Sequence, residues 1–411
     1  MGERNSTTEE QQRSRKGYSS WWLPLSVVLL ALAVPLAAQT SKIYRQGNFW
    51  VEETSGTLPA LRELHVGTDW GAVQVQGTSQ KITYLVRKRS QAATEEAARR
   101  QFEMLRISAA KAGDVALLQG KGALSDIGKI GVDFIVQVPH DIAAVRVETR
   151  CGALVFGSLA TAIVASTGGG LIKLDELSGQ VRISSGGGNI VAGNVGTELA
   201  AHNTPAELPA VGSSAPSEVK ITTRRAPPPV AASMIETGAG SVEIRKCMGN
   251  LMVSSGGGNL LLGDVEGAVQ AETQAGSVRL ASAGGPVRVS TGGGSVELYK
   301  LSRGAQVDTG AGPIFVEFLG DHGFTESFLH TSSGDVTVCL TNNVRAELHA
   351  NSDMSTGGGI DSQDFTGLNI TRMGGEMMPL SMSAEGPLNG GGPPLRIRTM
   401  IGHIALRRCS Q

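Results

Sequence analysis

From Ile172 to Val316 the chain carries aliphatic residues in pairs two positions apart, each pair a fixed distance from a glycine. Ile172/Leu174, Ile190/Ala192, Val242/Ile244, Leu260/Leu262, Val278/Leu280, Val296/Leu298 and Ile314/Val316 form one set. Val181/Ile183, Leu251/Val253, Val269/Ala271, Val287/Val289 and Ala305/Val307 form a second. Period-two alternation predicts short strands with one buried face. Glycine keeps time with them: Gly170, Gly179 and Gly188, then Gly240, Gly249, Gly258, Gly267, Gly276, Gly285 and Gly294, run nine residues apart on either side of one interruption, and Gly312 follows. A unit this short cannot close a core alone, so the units must stack. The predicted fold is mainly β, a single-stranded β-helix (solenoid) of about 18 residues per coil with two straight sides. The glycines fall at the bends, where positive φ or close backbone approach favours them. Thr167, Ser185, Thr237, Ser255, Thr273, Thr291 and Thr309 precede the glycine clusters, which predicts a hydroxyl ladder along one edge. Arg279 and Glu297 fall in adjacent coils on one outward face and are expected to pair across strands.

Before the repeat the period changes. Gly71 to Val75, Lys81 to Val86 and Val132 to Val138 alternate as strands, the last stopping at Pro139, and Ala144 to Glu148 starts another. Thr94 to Leu105 reads as a helix, with Ala97, Ala98, Phe102, Met104 and Leu105 on its apolar side and Thr94, Glu95 and Glu96 as its capping pattern. Residues 40–150 are therefore a small α+β lead-in, and 151–411 the solenoid, with Gly152 in its first coil. A Pro/Ala/Ser-rich insertion at 195–232 breaks the rhythm; the 52 residues between Gly188 and Gly240 leave room for one coil and an extruded loop that restores the register. After Gly312 the glycines loosen to Gly334, Gly359 and Gly402 around a Met/Gly/Pro-rich loop at 372–394. The last coil runs from Leu395 to Leu406, with Arg407 and Arg408 as a polar stop.

Residues 1–39 combine a head carrying Arg13, Arg15 and Lys16 with an apolar run from Trp21 to Ala38. That plan fits a cytoplasmic head plus either a signal peptide cleaved after about Ala38 or a membrane anchor through residues 21–38. Either version puts residue 40 onward outside the cytoplasm. Net charge is −1, from 36 basic and 37 acidic residues without a long block of one sign, so the basic stripe that nucleic acid requires is missing. Fifty-five glycines without a triplet repeat exclude collagen and favour a turn-rich β architecture. Cys151, Cys247, Cys339 and Cys409 are too far apart for bridging when assigned to coils: Cys247 and Cys409 by some seven coils, Cys339 and Cys409 by about two. Four reduced thiols packed as small apolar side chains are expected, the alternative being an intermolecular bridge through Cys409.

Candidate chemistry is sparse. The Thr/Ser-Gly-Gly-Gly clusters at Thr167, Ser185, Ser255, Thr291 and Thr356 lack the Lys-Ser/Thr and the helix of a phosphate loop. A calcium ladder needs an aspartate column, and the comparable positions hold Ile, Val or Leu beside Asn189, Asn259, Ser277 and Ser295. Histidines at 65, 140, 202, 322, 330, 349 and 403 show no paired zinc spacing. Asp321-His322, beside Phe318, Phe324 and Phe328, reads as a water-facing pair on a loop whose aromatic rings cap the core. A polysaccharide-active enzyme would need convergent carboxylates, with Asp308, Glu317, Asp335 and Asp353 the residues to watch. No catalytic, cofactor-binding or metal-binding residue is assigned, no cofactor is expected, and the chain is not expected to be an enzyme.

The lead-in with its helix, the Val138-Pro139 strand end, the recurring Ser/Thr-Gly-x-Gly-x-Val units and the closing Leu395-Arg-Ile-Arg-Thr-x-x-Gly-x-Ile-x-Leu406 resemble the bacterial "putative adhesin" family, over most of residues 60–407. The resemblance implies a β-helix outside the cytoplasm, often tethered by a membrane segment, and carries over no catalytic residue. The reading is a non-enzymatic exported cell-envelope module, structural or adhesin-like, whose partner is an envelope or surface protein or polysaccharide and not nucleic acid. The alternatives are a membrane-tethered periplasmic sensing or ligand-binding domain and a polysaccharide-active β-helix enzyme.

Overall fold

The computed structural model of the protein describes residues 34–35, 39–123, 128–140, 142–196, 232–320, 323–354, 359–374 and 381–409. The basic head and nearly all of the apolar run at 21–38 lie outside them, as do residues 197–231 of the insertion and Asp321-His322.

Two long sheets, of 17 and 16 strands among the described residues, take up the chain in turn. From Ala144 to Leu340 consecutive strands alternate between the sheets, and each pairs in parallel with the strand one repeat away. Val278 lies opposite Val296, and Val296 opposite Ile314, in one sheet; Val269 lies opposite Val287, and Val287 opposite Ala305, in the other. All the aliphatic pairs of both sets are buried. The strands are fixed by their β-branched content and by this alternation, because a shift of one residue would turn every apolar side chain toward water. Across the insertion the register holds: Ile183 pairs with Ile235 and Ile190 with Val242.

The stack begins earlier than Gly152. Glu63–Thr68 and Ala72–Gly77 pair in parallel with Ala144–Thr149 and Leu154–Leu159, so they form the rung beneath it. Their unit, Gly71-Ala-Val73-Gln-Val75, already has the repeat's form, but its parallel neighbours come from residues 115–138 and 144–159 rather than from eighteen residues on, which hides the period. Val115–Gly122 and Gly131–Val138 pair in parallel with Glu63–Thr68 and Ala72–Gly77 on the side away from the repeat, and antiparallel strands extend both sheets from there. Thr40–Gln46, Phe49–Leu58, Ile82–Ser90 and Gly131–Val138 follow one another on one sheet, and Leu105–Ala112 with Val115–Gly122 on the other. The helix is Glu95–Phe102; Thr94 Oγ1 accepts from the Ala97 N–H at 3.3 Å as its N-cap, and Ala98 and Phe102 are buried. Leu105, expected on the helix, opens the next strand instead.

The glycine rhythm has a steric cause. A Cβ on Gly258 would stand 2.0 Å from the Gly240 carbonyl oxygen, and one on Gly276 2.0 Å from that of Gly258. Successive turns sit so close that a side chain would occupy the space of the neighbouring backbone. Close approach, rather than positive φ, is the reason at these positions. The Thr/Ser column completes each turn. Thr273 Oγ1 donates to the Gly258 carbonyl at 3.0 Å and accepts from the Gly276 N–H at 3.2 Å; Ser255 does the same with Gly240 and Gly258, both at 2.9 Å. The ladder is thus hydroxyl to glycine carbonyl, rung to rung, and not hydroxyl to hydroxyl. Its members from Thr167 to Thr309 are all buried, so satisfaction of these groups is required.

At the far end, the expected distance between Cys339 and Cys409 is overturned. Val336–Leu340 pairs directly with Ile404–Arg408, and Cys339 and Cys409 form a disulfide with Cα atoms 5.6 Å apart. The residues between them leave the column: Ala346–Met354 pairs antiparallel with Ser381–Leu388, which pairs with Asn369–Met373, while Pro394–Ile401 returns beside Ser327–Ser333. Ser381–Leu388 is therefore a strand inside the stretch 372–394 read as a loop. Cys247 is buried, as expected, and its thiol is pushed up to about 11 by burial and then by Glu266. Cys151 is exposed rather than packed.

Near the other end Glu53, only 7% exposed, receives Lys42, Arg87 and the Tyr44 hydroxyl. Burial raises its pKa, but these donors outweigh burial and hold the carboxyl below its ordinary value.

Three outcomes follow from this packing. Gly276→Ala is expected to cost about 2 kcal/mol or more of stability, whereas Gly257→Ala, where a Cβ would meet nothing within 4 Å, stays near wild type; denaturation midpoints compare the two, and equal midpoints would refute the close-approach account. Peptide mapping without reduction should yield a Cys339–Cys409 linked pair, with native alkylation confined to Cys151, and Cys409→Ser should lower stability by about 2–5 kcal/mol. For Glu53 the folded carboxyl titrates below the unfolded one, so its contribution is present above pH 4.5 and is lost as pH falls through the folded value. Glu53→Gln should lower the melting temperature at pH 7 and flatten its fall below pH 4.5.

Candidate interaction surface

Once the apolar positions face inward, the intervening residues of each strand form two long outer faces. On the first sheet the outward columns are Met252, Gln270, Arg288, Gln306 and Phe328, and, two residues along, Ser254, Glu272, Ser290, Asp308 and His330. A groove of about 520 Å³ runs along the first column, from Ala232 to Glu326, floored by Leu251, Val269 and Val287. A second hollow of about 370 Å³, bordered by Glu272, Ser290, Asp308 and Phe328, shares Arg288 and Gln306 with it.

These side chains brace one another. Arg288 donates from Nε and Nη2 to Gln306 Oε1 at 3.1 and 2.6 Å, and Gln270 Nε2 to Glu272 Oε1 at 2.9 Å. Asp308 Oδ1 lies 2.9 Å from His330 Nδ1. Arg396 pairs with Glu326 at the groove's end. The Phe328 ring is 40% exposed and lies nearly parallel to His330, with centroids 6.1 Å apart and planes at 13°. Phe328 therefore does not cap the core as expected. Phe318 and Phe324 do, edge to face at 5.2 Å and both buried. Strand alternation separates them: Leu329 points inward, so Phe328 points out.

The second sheet presents Leu261, Arg279, Glu297 and Phe315 in one outward column. The expected Arg279–Glu297 pair is there at 3.7 Å, and it is exposed enough to add little. The Arg279 guanidinium lies over the Tyr299 ring at 5.4 Å, and Tyr299 meets Phe315 at 5.1 Å. Burial, reinforced by the Glu297 carboxylate 3.1 Å from its hydroxyl, holds Tyr299 above its ordinary pKa and keeps it a donor.

The remaining candidate residues are spent on structure. Glu317 accepts from the Lys300 N–H at 3.3 Å, Asp335 from the His403 N–H at 2.8 Å, and Asp353 from Arg398 at 2.6 Å. Glu317 lies in the second sheet and Asp308 in the first, so these carboxylates do not converge. His65 lies 3.5 Å from Glu63, His140 2.7 Å from the Ser158 carbonyl and His349 3.9 Å from Glu385. No cluster of three or more metal-ligating side chains occurs among the described residues. Asn189 and Asn259 use their amide oxygens on the backbone N–H of Ser241 and Ser277, both at 2.9 Å, and so strengthen the ladder instead of offering ligands. The hydroxyls of Thr167 and Ser255, offered by the Gly-Gly-Gly clusters, are bonded to glycine carbonyls of the next turn. Among the described residues no helix is long and apolar enough to cross a membrane.

Sequence reasoning missed the groove. Gln270, Arg288 and Gln306 recur eighteen residues apart, so aligning the repeats would have placed them in one column.

No family model matches the chain, and no curated protein matches it. Solved structures do. One is a putative adhesin of Parabacteroides distasonis ATCC 8503, 13% identical, with a TM-score of 0.35 over 71% of this chain and 96% of that one. A second is a putative adhesin of Parabacteroides merdae ATCC 43184, 7% identical, TM-score 0.29, over 88% and 96%. A third is a putative adhesin of Bacteroides fragilis NCTC 9343, 9% identical, TM-score 0.25, over 87% and 97%. The solved proteins to which this chain is similar thus carry the same family description as the one its motifs resemble.

Proposed function

We propose that the chain winds as a single-stranded β-helix of about 18 residues per coil and works outside the cytoplasm as a non-enzymatic, adhesin-like interaction module of the cell envelope. The observation that carries this reading is the constant register of its parallel strands, which turns each outward position into a column and so builds long, stiff faces from a short repeat. Such a surface displays side chains and does not enclose a reaction. The carboxylates that an enzyme would bring together are held apart by separate partners. The Cys339–Cys409 bond supports an oxidising compartment, since intracellular thiols are kept reduced. An apolar segment at 21–38 would deliver the chain there, by a cleaved signal or an anchor. The partner is an envelope or surface macromolecule.

Exposed Cys151 gives a direct test of location. A membrane-impermeant maleimide should label it in cells whose inner membrane is intact; labelling only after lysis would defeat the export reading. Beads coated with the purified protein should hold envelope fragments, and beads coated with the reduced, unfolded chain should not. Equal retention would remove the interaction role.

A further inference from the structure

We propose that the groove on the outer face of the first sheet, continued by the adjoining hollow, binds an extended, uncharged polysaccharide whose sugar rings lie along the stack and against Phe328. The proposal rests on the interaction-module reading and names the class of its ligand.

Phe328 shares its column with Met252, Gln270, Arg288 and Gln306, and it leaves 40% of its surface in water although its neighbour Leu329 already fills the core. The Phe328 ring, stacked near-parallel to the His330 imidazole that Asp308 holds, is the apolar plate of the site. A pyranose ring offers a matching face of C–H groups and a rim of hydroxyls. The plate is bordered by planar polar side chains suited to that rim: carboxylates of Asp308 and Glu272 that accept, and the Gln306 amide, whose oxygen is taken by Arg288 and whose NH2 remains to donate. Because Arg288 already holds Gln306 and Gln270 holds Glu272, little side-chain freedom is lost on binding.

Charge decides against acidic polymers. Along the two hollows Arg288, with Arg396 at the groove's end, faces the carboxylates of Glu272, Asp308 and Glu326, so a uronate, sulfate or phosphate chain would meet three negative groups against two positive ones. Length also fits. The groove and the adjoining hollow that Phe328 borders together cross the strands bearing Ala232, Met252, Gln270, Arg288, Gln306 and Phe328, each about 4.8 Å from the next, close to the advance per sugar of an extended chain. The Tyr299/Phe315 pair on the opposite sheet belongs to neither hollow and serves as the control.

Affinity electrophoresis of the purified protein through gels containing hydroxyethylcellulose, xyloglucan, galactomannan or polygalacturonate tests this. At least one neutral polymer should retard the wild type, Phe328→Ala and Gln306→Ala should each weaken retardation at least tenfold in apparent Kd, and Phe315→Ala should leave it unchanged. Melting curves of all three variants should match the wild type. The proposal is overturned if no neutral polymer retards the protein, if polygalacturonate alone does, or if Phe328→Ala migrates as the wild type. Retention of envelope fragments on coated beads separates the two readings: beads that still hold fragments while every neutral polymer fails remove only the ligand class, and failure of both removes the module.

Discussion

The structure depends on a contact with no side chain in it. At each bend the carbonyl oxygen of one turn occupies the place where a Cβ of the next turn would stand, as Gly240 does for Gly258 and Gly258 for Gly276. Only glycine permits that approach, and the approach brings the flanking strands to pairing distance. Backbone groups then find partners in the rungs above and below, so the interior can be filled by aliphatic side chains without stranding polar groups. The buried hydroxyls of Thr273 and Ser255 are each satisfied twice by the glycines they connect.

Stacking creates a problem at both ends, where a flat parallel rung would present open edges. The protein answers with antiparallel strands. Phe49–Leu58 and Ile82–Ser90, with the helix Glu95–Phe102 tied by Lys88 Nζ to the Phe102 carbonyl at 2.7 Å, lie at one end. At the other, Ala346–Met354, Ser381–Leu388 and Asn369–Met373 extend the first sheet, and the Cys339–Cys409 bond fastens the last strand of the second. These additions cover the column without interrupting it, which is why the outward columns stay aligned and a groove several strands long can exist.

How legible each part was follows from how local its cause is. The aliphatic columns, the helix N-cap at Thr94 and the return to register after residue 232 could be read because each rests on a periodicity or a neighbour in sequence. The first rung at Glu63–Thr68, the strand Ser381–Leu388 and the Cys339–Cys409 bond could not, because long excursions separate their partners and erase the count of coils on which the distance argument relied. Phe328 failed for a smaller reason: whether an aromatic ring caps a core or faces water turns on a single step of strand alternation.

By itself the sequence determined the rung: which residues point inward, where the chain must bend and that nearest neighbours in the stack are eighteen residues apart, since those are fixed by alternation and by a glycine every nine residues. Only the tertiary structure decided why glycine is needed, what closes the ends and which outward residues come together in a groove. Those outcomes depend on distances between backbones far apart in sequence, and no local pattern encodes them.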